Sequence, residues 1–291
     1  MLPADRRLLD EVGVFAPDVV ILPLASFRSQ TESAGALALE HWTRLGARAR
    51  VFNPRHGSDE EALDLLGGAD VIVLPGGVPN RLIAALSGTP ILAAIMARWV
   101  AGAGLMGSSA GAIDLFGRRL SLYLPDPFRL IPGFGLLHGF VVAPHFDRLR
   151  VRRWFSPVLR RMGGVAVLGI DESTGLVGRD GHMQVLGTGS VTIATDQSIE
   201  VYPTGSVIDI AMTRSHSGAK MSTYRATSPR QNDCQGATRP LLGSTMRDDT
   251  STASKSEPSM TSSSWSTSLF QRGSGAPDMY QGDPLSARTI P

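Results

Sequence analysis

A short turn rich in glycine and serine carries the residue types and spacing best suited to catalysis. Residues 107–112 have the sequence Gly-Ser-Ser-Ala-Gly-Ala, which matches the pattern G-x-S-x-G. An apolar pair precedes this turn and a helix-like segment follows it, which predicts a nucleophile elbow with a strained, exposed Ser109 at its tip. The amide of Ala110, at the predicted helix start, would point towards a developing oxyanion. Because G-x-S-x-G also occurs by chance, a turn without chemistry is the alternative.

A serine nucleophile requires a general base, and the chain has six histidines. His145 directly follows the predicted strand 140–142, in the sequence Ala-Pro-His-Phe-Asp. In a parallel sheet that position is the carboxyl edge, where an elbow serine also emerges, so His145 is the expected base. The remaining histidines are expected in surface, packing or tail positions: His41, His56, His138, His182 and His216.

The base in turn requires an acid that orients its ring. Glu172 comes just after the predicted strand 165–170, again at a carboxyl end. Asp126 is the main rival, since it lies on a loop between the serine and the histidine. Asp147 and Asp171 are weaker candidates, and each of these acids could equally be a solvated loop residue.

A pair of glycines closes the predicted strand 71–74 and offers a second oxyanion donor. Residues 75–77 have the sequence Pro-Gly-Gly. Glycine tolerates positive φ and leaves backbone N–H groups accessible, so the amide of Gly77 is the expected donor. A plain strand-to-helix turn is the alternative.

The elements that must position these residues alternate between short β-branched runs and helical patterns. Such alternation predicts right-handed βαβ units around a mostly parallel sheet, with helices on both faces. Asp180-Gly181 predicts a β-hairpin, and a further strand pair is expected around residues 203–205, so the end of the fold should be antiparallel. Possible capping boxes begin at Ser29 and Ser58. One helix is predicted after each of these boxes, and two more occupy residues 80–86 and 90–101. Further predicted strands are 19–22 and 48–52.

Composition divides the chain into a folded part and a tail. Residues 17–212 are predicted to form one catalytic domain, and 42% of the whole chain is apolar. Residues 213–291 are rich in Ser and Thr and lack periodicity, which predicts a disordered C-terminal tail. This tail is either a natural flexible extension or a segment foreign to the fold, for instance from a shifted reading frame.

Several classes of function are disfavoured by the same composition. The single cysteine, Cys234, lies in the tail and cannot form an internal disulfide or a Cys-based zinc site, and no cofactor or metal is expected. Residues 213–291 hold nine Lys/Arg against six Asp/Glu, so the basic lean lies in the tail and nucleic-acid binding is not expected. No secretory signal or membrane span is predicted, which suggests the cytoplasm. The expected partner is a small peptide substrate; the oligomeric state stays open, a homodimer included.

Four of these motifs, in their order along the chain, resemble those of peptidase family S51, which includes dipeptidase E and cyanophycinase. They are Leu-Pro-Gly-Gly at 74–77, Gly-Ser-Ser-Ala-Gly-Ala at 107–112, His-Phe at 145–146 followed by arginines, and Gly-Ile-Asp-Glu at 169–172. The resemblance covers residues 17–212. It implies a flavodoxin-like three-layer α/β sandwich, similar to class I glutamine amidotransferases, and a serine hydrolase without metal.

Carried over by motif, the resemblance makes Ser109 the nucleophile and His145 the base. The family's acid is described both as Glu and as Asp, and the amidotransferase-like order favours Glu172. Cyanophycinases carry Asp-Gln before the histidine, where Ala143-Pro144 stand here, and this argues against cleavage of β-aspartyl-arginine. Three arginines after the histidine, offset by one place from the family pattern, could receive a substrate carboxylate or form a solvated helix face with Arg152: Arg148, Arg150 and Arg153.

The expected function is therefore a serine peptidase acting on small peptides, with aspartyl dipeptides as the substrate that the resemblance suggests. An amidotransferase-like binding module without catalysis is the alternative. An α/β-hydrolase esterase is disfavoured because only 36 positions separate Ser109 from His145 and the preferred acid follows the histidine. A glutamine amidotransferase would need a cysteine nucleophile within the domain.

Overall fold

The computed structural model describes residues 3–27, 29–121, 129–148, 164–179, 181–210 and 267–272. The helices of this part are α1 (Pro3–Val12), α2 (Thr31–Arg44), α3 (Asp59–Gly67), α4 (Pro79–Leu86), α5 (Pro90–Val100) and α6 (Ala110–Leu115). The first seven strands are β1 (Asp18–Ile21), β2 (Arg48–Val51), β3 (Val71–Leu74), β4 (Gly104–Ser108), β5 (Arg118–Leu120), β6 (Leu130–Pro132) and β7 (Phe140–Pro144). The remaining strands are β8 (Ala166–Ile170), β9 (Thr174–Arg179), β10 (His182–Gly187), β11 (Ser190–Ala194), β12 (Ile199–Pro203), β13 (Val207–Asp209) and β14 (Thr267–Arg272).

The larger sheet has the strand order β13-β10-β9-β14-β4-β3-β1-β2. Strands β2, β1, β3 and β4 are parallel, as their alternation with helices predicts. Side chains of β1 alternate between the faces: Val19 and Ile21 pack with α1 and α2, whereas Val20 packs in the core with α3, α4 and α5. This is the predicted three-layer α/β sandwich with helices on both faces of the sheet.

A second sheet, with the order β12-β11-β8-β7, holds the strands that precede His145 and Glu172. Strands β7 and β8 are parallel, while β11 is antiparallel to both of its neighbours. Val142 of β7 and Leu168 of β8 share one buried cluster with Leu105 of β4, so the two sheets enclose a common core. The sequence predicts one central sheet that carries all three candidate catalytic residues, whereas the structure divides them between two sheets.

Local sequence signals predicted one hairpin and one helix cap correctly and a second helix cap wrongly. The hairpin at residues 180–181 is confirmed, since Arg179 of β9 pairs with His182 of β10. Ser58 caps α3 by accepting a hydrogen bond from the amide of Glu61, as predicted. Ser29 does not cap α2, which begins at Thr31 after Gln30.

Two further expectations about individual elements were wrong or incomplete. The strands around residues 203–205 exist but do not pair with each other: β12 pairs with β11, and β13 pairs with β10. Helix α1 precedes the expected domain start at residue 17. Its apolar face, including Leu8, is buried against the larger sheet, and this burial explains why the segment is helical.

The C-terminal region contributes a strand to the middle of the larger sheet. Strand β14 runs antiparallel to β4 and parallel to β9, with Leu269 in register with both Gly107 and Leu176. Residues 267–272 belong to the region predicted as a disordered tail; the rest of that region lies outside the described residues, so the prediction for the tail as a whole stays a prediction. Edge pairing accounts for the strand, because one segment provides hydrogen-bond partners for two strand edges at once.

Candidate active site

Ser109 occupies the sharp turn between β4 and α6. Its backbone has φ 48° and ψ −107°, a sparsely populated conformation for a residue with a side chain. The turn depends on glycine on both sides: a Cβ at Gly107 would lie 2.6 Å from the amide nitrogen of Ala112, and one at Gly111 would lie 2.0 Å from the carbonyl oxygen of Leu74. The sequence thus forms the predicted elbow because only glycine permits so close an approach of strand and helix.

His145 lies directly after β7, and its Nε2 atom is 3.1 Å from Oγ of Ser109. Its backbone also has a positive φ, 55°. The next residue, Phe146, is buried and donates its amide hydrogen to the carbonyl oxygen of Ile170, 3.1 Å away. The ring of Phe146 packs so closely on Gly169 that a Cβ there would lie 2.5 Å from it. Packing on β8 therefore fixes the backbone next to the histidine.

Glu172 lies in the turn after β8, and its Oε1 atom is 2.5 Å from Nδ1 of His145. Ser109, His145 and Glu172 thus form a continuous hydrogen-bonded chain of hydroxyl, imidazole and carboxylate. The guanidinium of Arg148 also approaches this carboxylate, with Nε 3.3 Å from Oε1. The carboxylate accepts from one ring nitrogen and the other faces the hydroxyl, which is the arrangement required of a base that activates serine.

One candidate oxyanion donor, Ala110, follows Ser109 directly, and the other, Gly77, belongs to a turn that packs against the elbow. Ala110 is the first residue of α6, where an amide has no partner within the helix. The Gly76-Gly77 turn lies against the elbow, since a Cβ at Gly76 would be 3.3 Å from Cβ of Ser109. Gly77 has φ +146°, and a Cβ there would lie 2.2 Å from the carbonyl oxygen of Ala25. Glycine is therefore required at residue 77 for steric reasons, independently of any role of its amide as an oxyanion donor.

Two of the other candidate acids, Asp147 and Asp171, accept hydrogen bonds from groups other than the ring of His145. Asp126 lies outside the described residues. Oδ1 of Asp147 accepts the amide hydrogen of Glu172 at 2.9 Å. Oδ2 of Asp171 accepts from the hydroxyl of Ser190 at 2.6 Å and from its amide at 3.0 Å. Both aspartates that were weak candidates for the acid thus hold the turn that carries Glu172.

Two of the remaining histidines pair with aspartates elsewhere in the fold. His41 contacts Asp5 at 2.9 Å and His182 contacts Asp209 at 2.7 Å. His138 packs beside Gly117, and His56 follows β2 in a turn. His216 and the arginines at 150, 152 and 153 lie outside the described residues.

The helix after the elbow, α6, carries one member of a buried Asp-Arg pair that no sequence pattern predicts. The carboxylate of Asp114, in α6, is fully buried, and Nε of Arg119 lies 3.2 Å from its Oδ1. Arg119 donates from Nε to the carbonyl oxygen of Pro132 and from Nη2 to Oδ1 of Asn80. Burial raises the pKa of Asp114 to about 7, and the positive charge of Arg119 opposes the shift only in part.

Among the described residues, no group of three or more His, Cys, Asp or Glu side chains is arranged to hold a metal ion. No single described helix is long and apolar enough to cross a membrane; α4 and α5 meet that test only together, and the pair is bent by 95°.

Comparison with known proteins finds curated relatives of this chain. The chain is 37% identical over 204 residues to a cyanophycinase of Trichormus variabilis, covering 65% of this chain and 66% of that protein. It is 28% identical over 195 residues to a cyanophycinase of Synechococcus elongatus, covering 62% and 60% of the two chains. The chain therefore spans less than two thirds of the length of these relatives.

A solved structure supports the fold. The crystal structure of a peptidase from an acI-B1 Actinobacterium superposes with a TM-score of 0.59 at 23% identity, covering 71% of this chain and 91% of that one. The sequence model of peptidase family S51 matches residues 2–186, which include all three members of the Ser-His-Glu chain. This chain belongs to peptidase family S51, a family of serine peptidases.

Proposed function

We propose that this chain is a cytoplasmic serine peptidase that hydrolyses small peptides, with Ser109 as nucleophile, His145 as base and Glu172 as the orienting acid. The observation that carries the proposal is the hydrogen-bonded chain from Oγ of Ser109 through the imidazole of His145 to the carboxylate of Glu172. Strain at Ser109 and His145 supports the same conclusion, since positive φ at non-glycine residues is concentrated at functional sites.

In the first half-reaction the hydroxyl of Ser109 attacks the carbonyl carbon of the scissile peptide bond. Its proton passes to Nε2 of His145 as the bond from Oγ to carbon forms. The carboxylate of Glu172 accepts from Nδ1 and stabilises the imidazolium. His145 then donates the proton to the leaving nitrogen, the C–N bond breaks, and an acyl ester on Ser109 remains.

In the second half-reaction a water molecule takes the place of the leaving amine. His145 removes a proton from this water, the resulting hydroxide attacks the ester carbon, and the proton returns to Oγ of Ser109. Both tetrahedral intermediates carry a negative oxygen, which the amides of Ala110 and Gly77 stabilise. No proton or electron is left over, so the cycle needs only peptide and water.

Aspartyl dipeptides are the substrate class that we propose. The cyanophycinase relatives make β-aspartyl peptides the second class to test. At the end of β7 this chain carries Ala143 and Pro144, which offer no charged side chain to a substrate, and this favours a substrate other than β-aspartyl-arginine.

The order of the three residues separates this proposal from an esterase of the α/β-hydrolase type. Glu172 follows His145 along the chain, whereas an α/β-hydrolase runs Ser, acid, His. A binding module without catalysis stays the competing function, and only a chemical experiment separates it from a peptidase.

A fluorophosphonate probe followed by a peptide screen tests the proposal. The probe should label Ser109 and leave a Ser109→Ala protein unlabelled, with the site of labelling read by mass spectrometry. Hydrolysis should then be measured over N-terminal Asp dipeptides and β-aspartyl peptides, including β-aspartyl-arginine. A folded chain that is neither labelled nor active on any member of the panel would favour the binding module.

A further inference from the structure

The loops that carry His145 and Glu172 are fastened to each other by backbone contacts as well as by the bond between their side chains. The amide of Phe146 bonds to the carbonyl oxygen of Ile170, and the amide of Glu172 bonds to Oδ1 of Asp147. Each loop thus donates one amide hydrogen to the other. Because both loops belong to the second sheet, the His-Glu pair can be assembled independently of the strand that carries Ser109.

The turn with Glu172 is held from two sides. On the buried side, Asp171 bonds to the backbone and hydroxyl of Ser190 in β11. On the exposed side, the amide of Glu172 donates its hydrogen to Oδ1 of Asp147, 2.9 Å away. The carboxylate of Glu172 is shared between His145 and Arg148 on the same oxygen, Oε1. The bond from the Glu172 amide to Asp147 therefore helps to orient Oε1 of Glu172 towards His145.

We propose that Asp147 is a positioning residue, whose carboxylate holds the backbone of Glu172 so that Oε1 stays aligned with Nδ1 of His145. This inference rests on the proposed function and extends it by one residue. The proximity of Asp147 to the base is built into the sequence, since it lies two positions after His145, and its reach to Glu172 is supplied by the parallel pairing of β7 with β8.

The alignment of Glu172 should affect the catalytic rate more than it affects the binding of substrate. A displacement of about 1 Å within a catalytic constellation can cost on the order of a hundredfold in rate. The described hydrogen bond of Asp147 is to the backbone of Glu172 and not to Ser109, so its removal should lower kcat while leaving KM unchanged. Loss of a single hydrogen bond to a charged acceptor predicts a fall in kcat of about tenfold.

Three variants of the full chain test the assignment. Asp147→Ala removes the acceptor, Asp147→Asn keeps an oxygen acceptor but loses the charge, and Asp209→Ala is the matched control. Asp209 is likewise a carboxylate with a close partner, His182 at 2.7 Å, but it lies on the edge strand of the larger sheet. If Asp147→Ala fails to fold, Asp147→Leu repeats the test, because Leu resembles Asp in shape and lacks an acceptor.

Two measurements are made on each variant. The first is steady-state hydrolysis of the best dipeptide from the screen, and the second is hydrogen exchange at the amide of Glu172. We expect Asp147→Ala to lower kcat about tenfold at unchanged KM and to speed exchange at Glu172 by a similar factor. Asp147→Asn should recover most of both properties, and Asp209→Ala should match the wild type. When Glu172 is already replaced by Gln, adding Asp147→Ala should lower kcat by less than about a further twofold.

Each contrary result identifies what has failed. Unchanged kcat in Asp147→Ala, with or without faster exchange, overturns the positioning role. A loss in Asp147→Asn equal to that in Asp147→Ala overturns the hydrogen-bond explanation. A wild-type protein without hydrolytic activity contradicts the proposed function instead, and the exchange rate at Glu172 still tests the bond itself.

Discussion

The Oγ atom of Ser109 lies 3.1 Å from Nε2 of His145, although the two residues follow strands of different sheets. Ser109 follows β4 of the larger sheet, and His145 follows β7 of the smaller one. The site is therefore a junction between two sheets that share one core. A substitution that changes their packing should alter catalysis without touching either side chain.

The first prediction concerns the two adjacent hydroxyls. Ser109→Ala should lower turnover on the order of 10⁵- to 10⁶-fold, because the nucleophile is removed and only oxyanion binding remains. Ser108→Ala is the control and should stay within about tenfold of the wild type, since the side chain of Ser108 is buried in β4. The measurement is steady-state hydrolysis, with thermal melts of both variants. Full activity in folded Ser109→Ala would end the serine-peptidase proposal.

The second prediction concerns the acid. Glu172→Gln should reduce turnover about 10⁴-fold, since an amide cannot stabilise the imidazolium of His145 in the same way. Asp126→Asn should cost far less. Pre-steady-state acylation by an activated ester or a fluorophosphonate measures both. The reverse ranking of the two variants would transfer the acid's role to Asp126.

The third prediction concerns the packing beneath the histidine. Gly169→Ala should place a Cβ about where the ring of Phe146 now lies, so the loop with His145 must shift. We expect a loss of about 1–3 kcal/mol in the free energy of unfolding and a fall in kcat. Gly67→Ala, at the end of α3, is the control, because a Cβ there meets nothing within 4 Å. Chemical denaturation and kinetics of both variants would show whether the effect is specific; equal behaviour of the two would contradict it.

The fourth prediction concerns the pH dependence of stability. The pKa of Asp114 is raised by burial from 3.8 in its ordinary state to about 7 in the fold. Between these values the folded state binds more protons than the unfolded state, so stability from this group is complete below pH 4 and is lost as pH rises through 7. Asp114→Asn should remove that loss. Relative to the wild type, the variant should gain on the order of 2–4 kcal/mol between pH 4 and pH 8.

Urea denaturation at several pH values measures this difference. Asp18 supplies a comparison of opposite sign, since its hydrogen bond from the side chain of Arg48 lowers the pKa of Asp18. Its contribution to stability should therefore be lost as pH falls. A pH-independent difference between wild type and Asp114→Asn would refute the assignment of the shift to Asp114.

The fifth prediction concerns the C-terminal strand. A chain ending at residue 272 keeps β14, whereas a chain ending at residue 210 leaves the facing edges of β4 and β9 without this partner. The shorter chain should melt at least about 5 °C lower and should aggregate more readily, because unpaired strand edges associate. Melting curves and light scattering of the two truncated chains decide this. Equal stability and activity would show that the region after residue 213 is dispensable, as its composition suggests.

The sequence by itself was sufficient wherever structure depends on neighbouring residues. The elbow at Ser109 needs small residues two positions away on either side, and Gly107 and Gly111 supply them. The cap of α3 needs an acceptor at Ser58 for an amide three residues on. The parallel strands of the larger sheet, apart from β14, follow from alternating apolar and helical segments. Such signals lie within a few residues, so they can be recognised without coordinates.

Tertiary structure alone decided what joins distant segments. Three such features leave no periodic signal in the chain. They are the division of β4 and β7 between two sheets, the bond from the amide of Glu172 to Asp147, and the burial of Asp114 beside Arg119. Strand pairing of this kind depends on which edges remain free after the rest of the fold has packed. For the same reason the slot between β4 and β9 is filled by residues 267–272, whose local composition favours no ordered structure.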